Sequence, residues 1–368
     1  MFFKYPVAAC TDNWISSILL DVLHGALSAL QQGEKPPAFL EAVPEEYLSE
    51  FSRGESFTEL YNEFIARCRS LTNPERENVI ESMIDQNNLP AVFSSGVRCS
   101  TVKGMSEDVH EAAKNLFKYA FRRLSALKTP GSTQAIRGNY HQQVYPSLGN
   151  GCCPFCGLEI VDAPDDDLAD PDWDHYLPVS IYPFAGANLR NLTVMGTSCN
   201  RTYKGAMDIL FNENNQRVDC LDPYGDEQIS ISLQGSSLLG GGGSGPSWCI
   251  NFTPQDRTQN WRRIFNLDPR LRANVLDGQY QVWLERLIKH TKNRNGDVTS
   301  LQGAIDAVRS YRDECEDETL VAVSILKKKF FDLVEQELLD PSTGARTLNF
   351  LGALSANYPP PRIVEVEQ

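Results

Sequence analysis

The chain has 368 residues, 41% hydrophobic and 22% charged, which is enough apolar material for about two or three folded units and excludes intrinsic disorder or a fibrous repeat. Its 34 basic and 48 acidic residues give a net charge of −14, which excludes a general polycation for nucleic acid but allows a local basic face. The best apolar run, Trp14 to Leu30, is interrupted by Asp21 and His24, and the N-terminus lacks the blocks of a secretory signal. No membrane span and a cytoplasmic location are therefore expected.

Residues 1–146 read as a helical domain. Asn13 to Gln32 has apolar residues at helical spacing behind Thr11 and Asp12 as cap residues, and Thr58 to Cys68 repeats the pattern. Asn73-Pro74 opens another helix with proline at its first position. A longer helix is predicted over Ser106 to Leu127, with Val109, Ala113, Leu116, Phe117, Ala120 and Leu124 as its apolar stripe. From Ala112 to Pro146 the chain carries Lys114, Lys118, Arg122, Arg123, Lys128 and Arg137 and no acidic residue, which suits either a DNA-binding surface or the outside of a bundle.

Residues 147–225 are rich in Cys, Pro, Asp and Gly, and the acidic stretch 165–167 within them reads as a solvated loop. Residues 226–256 alternate with period two on either side of a Gly/Ser loop at 240–245, the pattern of a β-hairpin. Residues 257–368 are helical again, with breaks expected at Pro269 and Gly278, Lys327 to Lys329 as a solvated face, and an extended tail from Asn357.

In a reducing compartment, a local cluster of cysteines points to metal binding or catalysis. Cys153-Pro-Phe-Cys156-Gly157 is a tight turn of the kind that places two thiolates on one tetrahedral metal. Downstream come Asp174-His175-Tyr-Leu-Pro178, Asn191-Leu192, and Cys199-Asn200-Arg201 leading to Lys204-Gly205. Cys10, Cys68, Cys99, Cys249 and Cys315 stand singly or in apolar patterns and read as small hydrophobes.

This succession resembles the HNH endonucleases of the ββα-metal superfamily over Cys153 to Met207, with the elements in the family's order. Asp174 to Pro183 is most similar to HNH nucleases of bacterial anti-phage defence, including the nuclease component of Septu-type systems, which works beside an ATPase. The resemblance implies an α+β chain with a central ββα-metal finger and a β-hairpin, flanked by N-terminal and C-terminal helical domains. It also implies metal-dependent hydrolysis of DNA, with His175, Asp174, Asn191 and Asn200 as the catalytic set. His175 would be the base, which suits an imidazole that takes a proton at neutral pH. Asp174 and Asn200 would offer oxygens to catalytic Mg²⁺ or Mn²⁺, and Asn191 would hold the loop that presents His175.

Adjacent strand residues point to opposite faces, so Asp174 and His175 can share a task only where the strand ends or distorts, and Pro178 agrees with such a bend. Arg201 and Lys204 on the closing helix, with Arg122 and Arg123, are the expected nucleic-acid contacts.

One departure concerns structural zinc. The family's second thiolate pair corresponds to positions 196 and 199, but 196 is Gly here. Cys153, Cys156 and Cys199 then leave a tetrahedral site one ligand short. Cys220 and Cys152 are both open as the fourth, Cys220 being preferred because a thiol adjacent to Cys153 demands awkward geometry. The partners implied are DNA, an ATPase or other defence subunit, and a second copy of the chain. A zinc-stabilised binding module without cleavage and a stand-alone restriction-type or mobile-element nuclease are the alternative readings.

Overall fold

The helical spacing of the first 146 residues is realised in a computed structural model that describes residues 1–53, 56–165, 173–240, 245–314 and 317–357. Helices α1 (Trp14–Gln31), α2 (Ser56–Arg69), α3 (Asn73–Asn87), α4 (Glu107–Arg123) and α5 (Ile136–Val144) follow one another. By length and composition α1 is apolar enough to cross a membrane, with a mean hydropathy of 1.2 over 18 residues, which the interrupted run in the sequence did not suggest. Its stripe of Leu19, Leu23, Ala26 and Leu27 is fully buried, and α1 packs on α2 and α3 as a core helix does.

The caps differ from expectation at α1. Thr11 and Asp12 do not cap it; Asn13 does so by position only, because its side chain accepts from Leu189 N–H at 2.8 Å, while Asp12 accepts from Asn139 at 2.6 Å. At α3 the helix opens at Asn73-Pro74 as expected, but the cap is Thr72 rather than Asn73, Glu75 accepting from Thr72 N–H at 2.7 Å. Helix α4 stops before Leu127 because the chain turns back there, Lys128 bridging Ala135.

After α5 comes a short antiparallel pair, β1 (Trp173–His175) and β2 (Leu192–Val194), with His175 opposite Leu192, followed by a π-helical segment Ser198–Lys204. Strand β2 is buried throughout, so its backbone needs internal partners. Tyrosine hydroxyls supply them: Tyr140 and Tyr224 donate to Leu192 O at 2.8 and 2.7 Å, and Tyr5 donates to Val194 O at 2.6 Å.

The chain is α+β and divides into two compact units. The first joins Phe3–Gln228 with Asp256–Phe265, so it unites the N-terminal helices with the Cys-rich region and with most of α6 (Gln255–Ile264). This division by compactness falls elsewhere than the composition boundaries at 146 and 256. The reason for α6 is specific: Asn260 donates to Ile209 O at 2.7 Å, and the Phe265 and Phe155 rings lie 4.8 Å apart.

The second unit contains the hairpin β3 (Ser230–Ser232) and β4 (Asn251–Thr253), with Ile231 opposite Phe252. It also holds α7 (Leu267–Leu271), α8 (Asp277–Asn293), α9 (Leu301–Glu314), α10 (Val321–Leu339) and α11 (Gly344–Ala356). Trp283, Tyr311, Phe330 and Phe331 form its aromatic core. The helix break lies at Asn266, whose φ of +49° is left-handed, rather than at Pro269 or Gly278. Pro269 sits in the first turn of α7, where its missing N–H costs nothing, and Gly278 lies inside α8. Lys327 is not part of a solvated face: it is 4% exposed and paired with Glu318 at 3.0 Å. The tip of the Gly/Ser loop (241–244), most of the acidic stretch, Cys315 and the tail beyond 357 lie outside the described residues.

Candidate functional site

The Cys-rich turn is a tight hairpin built by its own backbone. Cys153 N–H donates to Glu159 O at 2.8 Å, Cys152 bridges Ile160, and Gly157 takes the left-handed conformation (φ +63°) that closes the turn. Leu158 N–H points at Cys156 Sγ, 3.4 Å away, as a backbone donor supporting a thiolate.

Cys199, at the start of the π-helical segment, is brought to the same place. The three Sγ atoms of Cys153, Cys156 and Cys199 lie within 4.8 Å of one another, all buried. Burial opposes ionisation of Cys153, but hydrogen bonds from the Cys156 and Cys199 thiols and from backbone groups outweigh it and bring that thiol well below its ordinary range. Three converging buried thiols are soft donors suited to zinc. These three buried thiols form a group that could hold a metal ion, and the set is compatible with the structural zinc expected from the sequence.

Cys220 does not join the group. Its Sγ donates to Ile209 O at 2.9 Å and its N–H to Phe93 O at 2.8 Å, which fixes it in a separate part of the core. Cys152 is also buried but is not among the three converging thiols.

The second cluster is centred on β1. The strand ends at His175, so the imidazole and the Asp174 carboxylate are not bound to a continuing pleat. His175 Nε2 lies 2.8 Å from Gly186 O, and its ring packs 4.4 Å from Phe121 of α4. A carbonyl only accepts, so Nε2 carries the hydrogen and Nδ1 is the basic nitrogen. Burial, opposed by the Gly186 carbonyl and aided by the positive charges of Lys204 and Lys118, pushes the His175 pKa down to about 4. The imidazole is neutral at pH 7.

Asn191 is fully buried at the end of the loop that begins at His175. Its Oδ1 accepts from Leu177 N–H at 2.7 Å, and its Nδ2 donates to Leu177 O and Ala185 O, each at 3.1 Å. One side chain thus ties the two ends of the loop that positions His175 and Gly186.

Lys204 departs most from expectation. Instead of reaching outward to a phosphate, it is 1% exposed, lies 2.5 Å from Asp174 Oδ2 and donates to His175 O at 2.8 Å. A charge in that position must be paired, and Asp174 is its partner. Asn200 follows Cys199 on the same segment and is partly exposed, while Arg201 is exposed.

Of the basic residues of α4, Lys118 and Arg122 are exposed one turn apart, but Arg123 does not share their exposure. Arg122 is exposed, with its guanidinium 6.0 Å from the Tyr119 ring, whereas Arg123 is half-buried. Arg137 of α5 lies 5.0 Å over Trp173, the neighbour of Asp174.

Three participants were not singled out from the sequence: Phe121, Gly186 O and Glu159, while Lys118 was noted only as part of the basic face. Only the proximity of α4 to the Asp-His pair could have drawn attention to Phe121, since nothing local links them. No protein-family model, curated protein or solved structure matches this chain.

Proposed function

We propose that this chain is a metal-dependent endonuclease of the HNH type that hydrolyses DNA phosphodiesters. In this reading it is a cytoplasmic nuclease effector of a bacterial anti-phage defence system, acting beside an ATPase or similar subunit. The observation that carries the reading is the tautomer of His175: with Nε2–H engaged by Gly186 O at 2.8 Å, a neutral Nδ1 is the available base.

His175 Nδ1 takes the proton of a water poised for in-line attack on phosphorus. The Gly186 carbonyl then stabilises the imidazolium, and Asn191 keeps both ends of the loop in place while the charge moves. The carboxylate of Asp174 and the amide of Asn200 are hard oxygen donors, the type Mg²⁺ and Mn²⁺ accept alongside water and phosphate. A divalent ion held there supplies electrostatic relief for the charge that develops on the phosphate and leaving oxygen. Lys204 balances the Asp174 charge and competes for that carboxylate. Exposed Arg201, Arg122 and Lys118 are suited to backbone phosphates. A net charge of −14 fits a nuclease to which another subunit delivers the DNA.

Supercoiled-plasmid cleavage with Mg²⁺ or Mn²⁺, run beside His175→Ala, tests this. Cleavage that falls by about 10²-fold or more in the variant supports the base assignment. The buried Lys204–Asp174 pair favours a second reading, a zinc-stabilised module that binds nucleic acid without cutting. DNA retention without nicking, equal in wild type and His175→Ala, would support that reading instead.

A further inference from the structure

We propose that Glu159 is the fourth ligand of the metal centre, its carboxylate replacing the cysteine absent at position 196. The inference rests on the metal-centre reading of Cys153, Cys156 and Cys199 and is independent of whether the protein is a nuclease.

The Glu159 carboxylate is in contact with two of the three thiols. Glu159 Oε1 lies 3.8 Å from Cys156 Sγ and 3.7 Å from Cys199 Sγ. A thiolate and a carboxylate oxygen sharing one tetrahedral zinc, at about 2.3 and 2.0–2.2 Å, stand about 3.5–3.7 Å from each other. These two spacings need to contract only slightly around an ion, and the carboxylate, which lies outside the 4.8 Å grouping of the three Sγ atoms, must also close on Cys153.

The other carboxylate oxygen is occupied in a complementary way. Oε2 accepts from Ser198 N–H at 3.0 Å, the backbone amide just before Cys199. A monodentate carboxylate ligand is commonly held by such an outer hydrogen bond on its second oxygen, which fixes its orientation. The Glu159 backbone also belongs to the hairpin, its carbonyl receiving Cys153 N–H at 2.8 Å, so the residue is anchored at both ends.

Position 196 explains the substitution. A Cβ on Gly196 would come within 2.8 Å of both Cβ and Cδ of Glu159, so that space is already taken by the Glu159 side chain. In the proposed centre a carboxylate from the knuckle occupies the place that a thiolate at position 196 would take. The ligand charge is unchanged, since three thiolates and one carboxylate balance the ion as four thiolates do.

The test measures metal on the full chain, not activity. Zinc content and affinity, by competition with a chromophoric chelator, and the Co²⁺ spectrum are compared for wild type, Glu159→Ala, Glu159→Gln and the double variant Glu159→Ala/Gly196→Cys. The expected result is one zinc per wild-type chain and a tetrahedral Co²⁺ spectrum with three thiolates. Glu159→Ala should lose at least tenfold in affinity. Glu159→Gln retains an acceptor for Ser198 N–H but loses the charge, so it should also weaken binding even if Glu159→Ala fails to fold. The double variant should recover affinity, with Co²⁺–thiolate absorption rising toward four thiolates. Affinities of both single variants within twofold of wild type would overturn the role of Glu159 while leaving the metal centre intact. Wild type that takes up no zinc would overturn both.

Discussion

Lys204 Nζ lies 2.5 Å from Asp174 Oδ2, with the lysine side chain fully buried and the carboxylate 12% exposed. The two residues sit on different elements, β1 and the segment that follows β2, so this ion pair locks the strand pair to the closing helix. Removing only one charge leaves the other stranded in a low-dielectric site. Lys204→Met is expected to destabilise the first unit by about 3–5 kcal/mol, and Asp174→Leu/Lys204→Met by clearly less than the sum of the single changes. Denaturant unfolding of the four proteins measures the coupling. Additive losses would show that the pair contributes nothing as a pair.

Asn191 is a second structural lock, and its loss is expected to be felt at His175. Asn191→Ala leaves Leu177 N–H and Leu177 O without this partner, while Ala185 O keeps the Asn188 N–H at 3.2 Å. Buried polar groups stripped in this way cost about 1–3 kcal/mol each, so a loss of about 2–5 kcal/mol is expected after relaxation. Hydrogen exchange at Leu177 N–H should accelerate more than at residues of the second unit. Under the proposed function, cleavage should fall further than stability alone accounts for.

Gly196→Cys by itself should destabilise the chain although it restores a thiolate. The new side chain would enter space held by Glu159, whose Cβ and Cδ would lie 2.8 Å from the added Cβ. Thermal unfolding in the presence of zinc should show a lower Tm than wild type. A Tm at or above that of wild type would mean that the glutamate moves aside freely.

Acid should destabilise the first unit through its buried histidines. Burial lowers the pKa of His110, which lies 3.1 Å from Ser180 O, and lowers that of His175 to about 4. Both folded values lie below the ordinary value of about 6.5, so the unfolded chain binds more protons on acidification. The stability they contribute is present above about pH 6.5 and is lost as pH falls toward their folded values. Tm measured from pH 7.5 to 4.5 should decline, and His110→Gln should make that decline shallower. An unchanged slope in the variant would remove His110 from this account.

Much of the fold was legible because its signals are local. Apolar residues three and four positions apart mark α1, α2 and α4, and Asn73-Pro74 marks the start of α3. Period-two alternation gave the β3–β4 pairing, and the spacing of Cys153 and Cys156 already implied a two-thiol turn. At the candidate site, the amide of Asn191 bonds the loop after His175 as its place in the motif suggested.

What the sequence alone determined was therefore the element types, the two-cysteine turn and the order of the Asp-His, Asn and Cys-Asn segments. Only the tertiary structure decided that Lys204 faces inward to Asp174, that Cys220 bonds Ile209 instead of joining the thiols, and that Glu159 fills the place left by Gly196. The physical reason is distance along the chain. A helix or a knuckle is specified by neighbours within a few residues, whereas the partner of a buried charge or thiol is specified by whichever side chain packing brings across from another element.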